Sequence, residues 1–217
     1  MILPETLYLK FLAGMEEYNM KKLFHNGMVL FLLFCLLAGA LPCAGIQAAS
    51  KNKKAGSAFA RAVAAGTVSY KKRDAGLVDD LDYDGVKELI IIHDGDDPSF
   101  EVWKYAKGKV SRLAGLDNFD PGWVCYIKSK KQFWYMGECD GSWMSCYQVA
   151  GKKVKQKVSY TYSVLSKGKY PVVKEKNGKK TKISFKKYVN LRESIMKNNN
   201  AKPISKSKLI QKLAGMK

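Results

Sequence analysis

The chain has 217 residues, and its 38 Lys and Arg against 19 Asp and Glu give a formal net charge of +19. That length holds one domain with a proper core. Five cysteines are too few for a disulfide-built scaffold, and no nucleic-acid motif accompanies the charge, so the composition argues against both of those classes.

The first element is the uncharged apolar run from Met28 to Leu41, about 14 residues against the roughly 20 of a spanning helix. Lys21 and Lys22 precede it, and Ala44, Gly45, Ala48 and Ala49 follow it. A basic start, a short apolar stretch and a small-residue exit make a secretory signal. Ile46-Gln47-Ala48 suits cleavage before Ala49, with a cut one residue later or after Gly45 as alternatives. Glu5, Glu16 and Glu17 cancel Lys10, Lys21 and Lys22, so a signal beginning at Met1 has no positive bias, whereas one beginning at Met20 is compact and basic. Pro42 before Cys43 argues against a lipoprotein. The expected organisation is an upstream extension over 1–19, a signal peptide over 20–49, a flexible linker over 50–56 and a single domain over 57–217. An uncleaved membrane anchor is the alternative. Export places the domain outside the cell or at the wall, with no membrane span in the mature form.

Ser57 to Ala65 reads as a short helix ended by Gly66. Leu77-Val78 leads into an acidic turn, and Glu88 to His93 leaves it as a β-branched run suited to a buried strand. Hairpins follow. Phe100–Tyr105 returns through Val110 to Leu113, Trp123–Ile127 returns as Gln132–Met136, and Asp140-Gly141 leads to Trp143 through Val149. Gly151-Lys152 turns into Val154–Tyr162, and Asn177-Gly178 joins Tyr170–Lys174 to Thr181–Phe185. Turn signals about every ten residues predict a mainly β antiparallel meander, as a sandwich or a partial propeller-like sheet. At the end, Phe185, Tyr188, Val189, Arg192 and Ile195 recur at helical spacing behind Ser184, and a second helical pattern runs from Ser205 to Gly215. The expected fold is therefore this β meander with a short N-terminal helix and one or two C-terminal helices.

The most informative segment is Asp79 to Leu89. Asp80, Asp82 and Asp84 alternate, Gly85 permits a sharp bend, the Val86 carbonyl supplies a backbone oxygen and Glu88 closes the loop. So many oxygen ligands suit calcium better than zinc or copper. The twelfth position of an EF-hand counted from Asp80 falls on Ile91, so an EF-hand is excluded. A solvated acidic turn that only starts the strand is the plainer alternative.

This loop resembles the calcium loops of FG-GAP or VCBS-type β repeats. More closely, it is similar to a group of secreted proteins of Gram-positive bacteria carrying Asp-x-Asp-x-Asp-Gly-x-x-Glu-Leu before a strand. The likeness covers roughly residues 76–113, with a looser hairpin rhythm to about 165. It implies a β fold, a structural calcium ion, side-chain ligands at Asp80, Asp82, Asp84 and Glu88, and a carbonyl ligand at Val86. The commoner pattern has Gly between the second and third Asp, where Tyr83 stands here. The function of that group is mostly unknown.

No catalytic constellation is expected. His93 begins a second acidic cluster with Asp94, Asp96 and Asp97, and is the only histidine after the signal. A pairing with Cys125, Cys139 or Cys146, or a carboxylate pair among Glu101, Glu138 and Asp140, would make an extracellular hydrolase, the rival reading. Lysine pairs such as Lys71-Lys72, Lys130-Lys131 and Lys179-Lys180 either guard strand edges or attract an anionic partner. Trp103, Trp123, Trp134 and Trp143 either fill the core or form an exposed strip. The leading expectation is a non-catalytic, calcium-stabilised domain that binds an anionic cell-wall polymer, a glycan or a surface protein.

Overall fold

The computed structural model describes residues 47–217 apart from 118–120, 140 and 164–171, with the side chains of 139, 141 and 163 also left undescribed. Residues 20–46 of the expected signal peptide, with Cys35, Cys43, Asp140 and Tyr170, therefore lie outside the described residues, while 47–49 are helical. The chain divides into two units, Met1–Ala49 and Ser50–Lys217, and every described strand belongs to the second.

Among the described residues ten strands, all antiparallel, form two meanders. Sheet I joins β1 (Ala75–Asp79), β2 (Glu88–His93), β3 (Ser99–Ala106) and β4 (Lys109–Leu116) in sequence order. Sheet II joins β5 (Gly122–Ile127), β6 (Gln132–Cys139), β7 (Gly141–Ala150), β8 (Lys153–Ser163), β9 (Val172–Lys176) and β10 (Lys179–Ile183). Three helices accompany them: α1, ending at residue 64, α2 (Phe185–Lys197) and α3 (Lys206–Ala214). Neither sheet closes on itself, so the expected mainly β meander with terminal helices is what forms, arranged as a sandwich.

Strand alternation explains the layers. Ile90, Ile92, Phe100 and Val102 of sheet I meet Val124, Tyr126, Phe133 and Tyr135 of sheet II. At the centre the Phe100 and Phe133 rings stack with centroids 4.0 Å apart, a contact adding about 1 kcal/mol to the area they bury. The alternate residues Leu89 and Ile91 face outward from sheet I onto Phe59 and Val63 of α1 and Leu209 and Leu213 of α3. On the far side of sheet II, Cys125, Trp134, Met136 and Met144 meet Tyr188 and Ile195 of α2. Strand β2 is thus covered on both faces, which is why its sequence is a continuous apolar run.

Local chemistry sets the boundaries. Ser184 and Ser205 cap α2 and α3, accepting the Lys187 and Lys208 N–H groups. At the β9–β10 turn Asn177 and Gly178 both have positive φ, 52° and 74°, as a type I′ hairpin requires. The edge strand β10 is almost wholly exposed and lysine-rich, which discourages pairing with another sheet. At the opposite edge, Asn199 Oδ1 accepts the Tyr126 N–H at 3.0 Å and the Asn200 N–H donates to the Tyr126 carbonyl at 2.8 Å. The α2–α3 connector so covers the open edge of β5.

One expectation needs correction. Residues 50–56, read as a flexible linker, are helical and belong to α1, with Ala55 and Asn52 buried. Their polar residues Lys51, Lys53 and Lys54 lie on the exposed side, so low mean hydropathy concealed an amphipathic turn. The segment at Leu77-Val78 leads into the acidic turn as expected, as part of strand β1. Among the described residues no helix is long and apolar enough to cross a membrane.

Candidate functional site

The acidic loop joins β1 to β2 at one end of sheet I. Its backbone is folded by its own carboxylates: Asp80 Oδ2 accepts the Gly85 N–H at 3.1 Å, Asp82 Oδ1 the Asp84 N–H at 3.3 Å, and Asp84 Oδ1 the Val86 N–H at 2.8 Å. Gly85 takes φ 82° and Tyr83 φ 62°. A left-handed residue other than glycine costs roughly 1–2 kcal/mol, so Tyr83 carries a strain that glycine would avoid. Here the Lys131 ammonium sits 3.2 Å over the Tyr83 ring, a contact returning about 0.5–1 kcal/mol at an exposed site. The same ammonium donates to the Asp80 carbonyl.

Of the five residues predicted as ligands, Asp80, Asp82 and Glu88 bring carboxylate oxygens within 4.8 Å of one another. Glu88 is fully buried, and its Oε2 accepts the Leu81 N–H at 2.8 Å. Burial pushes its carboxyl up to about 7, against the lowering effect of that N–H. Asp84 lies outside the three-residue set and is the most exposed of the carboxylates. Val86 contributes its N–H to Asp84 and packs its side chain into the core beneath α1.

Two participants were not predicted. Asn52 of α1 brackets the loop, donating to the Gly85 carbonyl at 3.2 Å and accepting the Lys87 N–H at 2.9 Å. Lys104 of β3 enters the carboxylate cluster, with its Nζ 2.5 Å from Asp82, 2.6 Å from Asp84 and 3.5 Å from Glu88. Strand pairing puts it there: Leu89 pairs with Trp103, and one further step sets Glu88 beside Lys104. Burial works against the ammonium's charge, but hydrogen bonds to Asp82 and Asp84 outweigh it and hold Lys104 above the usual lysine range. For Asp84, burial raises the carboxyl, but Lys104 and the Val86 N–H hold it below the usual range.

His93 stands at the other end of β2, five residues and about 16 Å from Glu88. It lies neither beside the acidic loop nor in a dyad with Cys125 or Cys146. Its Nδ1 pairs with the fully buried Asp74 at 2.8 Å, and its Nε2 is 3.8 Å from Glu101. The Asp74 hydrogen bond raises its pKa above the ordinary histidine value. Cys125 and Cys146 are free and buried, and burial pushes both thiols up to about 12, far from the thiolate a nucleophile needs. Glu101 is held by Trp103 Nε1 and Arg112, and Glu138 by Arg192. Asp94, Asp96 and Asp97 are exposed turn residues. Trp134 is buried, while Trp143 stacks on Tyr135 and Trp123 donates to Met196. The tryptophans serve packing, and the exposed aromatic strip does not form from them.

A second feature lies along the α2–α3 connector. Depressions of about 700, 190 and 630 Å³ follow one another, the first two sharing Asn199 and the last two Pro203. Lys128, Lys197 and Lys202 line the first, Arg73 and His93 the second, and Lys71, Lys72, Lys206 and Lys208 the third. These lysines and Arg73 are exposed, and among the described residues Asp94 is the one exposed carboxylate that lines these depressions. The result is a series of neighbouring cationic depressions along the connector, called the groove below.

No family model, curated protein or solved structure matches the chain.

Proposed function

We propose that this protein is an exported or wall-associated, non-catalytic β domain that binds an anionic polymer along the α2–α3 connector, with a structural calcium ion pinning the β1–β2 loop. The observation that carries the reading is the groove: eight exposed cations line three neighbouring depressions, and among the described residues that line them one carboxylate, Asp94, is exposed. Such a surface raises the local concentration of a polyanion and is tuned by salt. Charge, rather than aromatic stacking, is the favoured means of recognition, because the tryptophans are engaged in packing. The converging oxygens of Asp80, Asp82 and Glu88 support the calcium assignment. The hydrolase reading finds little support, since His93 and Glu101 are held in structural contacts and Cys125 and Cys146 are buried.

The test is binding of a soluble phosphodiester wall polymer, beside a neutral glucan of equal size, across a salt series. Affinity for the phosphodiester polymer that falls steeply with salt is expected, with none for the glucan. Binding that is insensitive to salt, or equal for both polymers, would contradict the proposal.

A further inference from the structure

The acidic loop already contains a cation of its own. Four carboxylates, from Asp80, Asp82, Asp84 and Glu88, surround one end of sheet I, and the Lys104 ammonium stands among them. An ammonium is a compact point charge with three donors. Here two short contacts go to Asp82 Oδ2 and Asp84 Oδ2, while Glu88 Oε1 lies at 3.5 Å. Two buried carboxylate oxygens, Glu88 Oε1 and Asp80 Oδ1, have no hydrogen-bond partner. Lys104 therefore neutralises the cluster incompletely, and its buried side keeps an unmet demand for positive charge. Buried polar atoms without partners are uncommon and costly.

A hard divalent cation answers that demand differently. Calcium takes six to eight oxygens at about 2.3–2.6 Å, so two of its ligands stand no more than roughly 5 Å apart. The oxygens offered by Asp80, Asp82 and Glu88 meet this limit as they stand. The Lys104 ammonium shares Asp82 and Glu88 with that set, so ion and ammonium compete for the same oxygens. Its long stem on β3 and partly exposed side chain let the ammonium swing to solvent without moving the strand.

We propose that Lys104 is the resident counter-ion of a divalent-cation site, and that calcium binds by displacing its ammonium from Asp82 and Glu88. The proposal rests on reading the loop as a cation site. In the absence of calcium, Lys104 holds the loop in its folded shape. When calcium binds, the carboxylates keep their places and the ammonium is released to solvent. The loop thus stays ordered in both conditions, and the cost of ejecting Lys104 sets the calcium affinity.

The experiment compares calcium binding by calorimetry for the wild type, Lys104→Met and Asp82→Asn, using CaCl₂ alone. Lys104→Met is expected to bind about tenfold or more tightly than wild type, and Asp82→Asn to lose binding. Equal or weaker binding by Lys104→Met would overturn displacement while leaving the loop a cation site. No binding by either wild type or Lys104→Met would overturn the cation-site reading itself, and the displacement with it. A second measurement needs no variant. Reductive methylation of the wild type, followed by mass spectrometry, is expected to label Lys104 several-fold faster with calcium than with chelator. Unchanged or slower labelling in calcium would overturn the proposal.

Discussion

Asn52 accepts the backbone N–H of Lys87 at 2.9 Å, and the same amide donates to the Gly85 carbonyl. One side chain from α1 thus holds both sides of Val86, where the acidic loop enters β2. It is 6% exposed, so water cannot readily replace either bond. Asn52→Ala is expected to destabilise the fold by about 1–3 kcal/mol, the cost of leaving half-buried backbone groups unpaired. Urea unfolding measures this. A loss below about 0.5 kcal/mol, the range of an ordinary surface change, would show that the helix does not hold the loop.

His93 predicts a pH dependence. Its hydrogen bond to Asp74 raises its folded-state pKa, against the opposing effect of burial. A histidine raised in this way stabilises the fold while protonated. The contribution is complete below the unfolded value of about 6.5 and is lost as pH climbs through the raised folded value. The stability advantage of wild type over His93→Gln should therefore hold below about pH 6.5 and shrink as pH climbs from there through the raised folded value. Urea midpoints taken across that range provide the check. An advantage that stays constant would mean that the pair acts as a neutral hydrogen bond.

The two buried thiols make a simpler case. Cys125 and Cys146 pack on either side of Trp134 in the cross-strand register, on the face that α2 covers. With both pKa values pushed up to about 12, almost no thiolate exists at neutral pH. Iodoacetamide treatment followed by peptide mapping is expected to leave both unmodified in the native protein and to alkylate both in denaturant. Rapid native labelling of either would show that the sheet II face opens readily.

The sequence discloses the strands and caps of this fold because those are local matters. Asn177-Gly178 makes its turn with two left-handed residues, and Ser184 and Ser205 cap their helices through bonds three residues away. The acidic loop is equally local: its carboxylates bond N–H groups two to five residues along. What the sequence conceals is non-local. Lys104 reaches Asp82 across 22 residues and Asn52 reaches Lys87 across 35, through pairings that no short window contains. One signal was present, since Lys104 follows Phe100 and Val102 in alternation and so continues the inward face of β3. An inward lysine asks for a carboxylate partner. The groove was hidden for a related reason, because Lys71 and Lys206 share one depression, and Lys128 and Lys202 another, only when the connector lies along the edge of β5.

The central claim is that the groove, and not net charge alone, binds the anionic polymer. The most direct measurement compares two variants of equal charge loss. One carries glutamine at Lys71, Lys72, Lys202 and Lys206 in the groove. The other carries it at Lys152, Lys153, Lys179 and Lys180 on the exposed strand ends of sheet II. Affinity for the phosphodiester polymer is measured at one fixed salt concentration. A loss of about tenfold or more in the groove variant, with little change in the other, is the predicted result. Equal losses in both variants, or none in the groove variant, would contradict the claim.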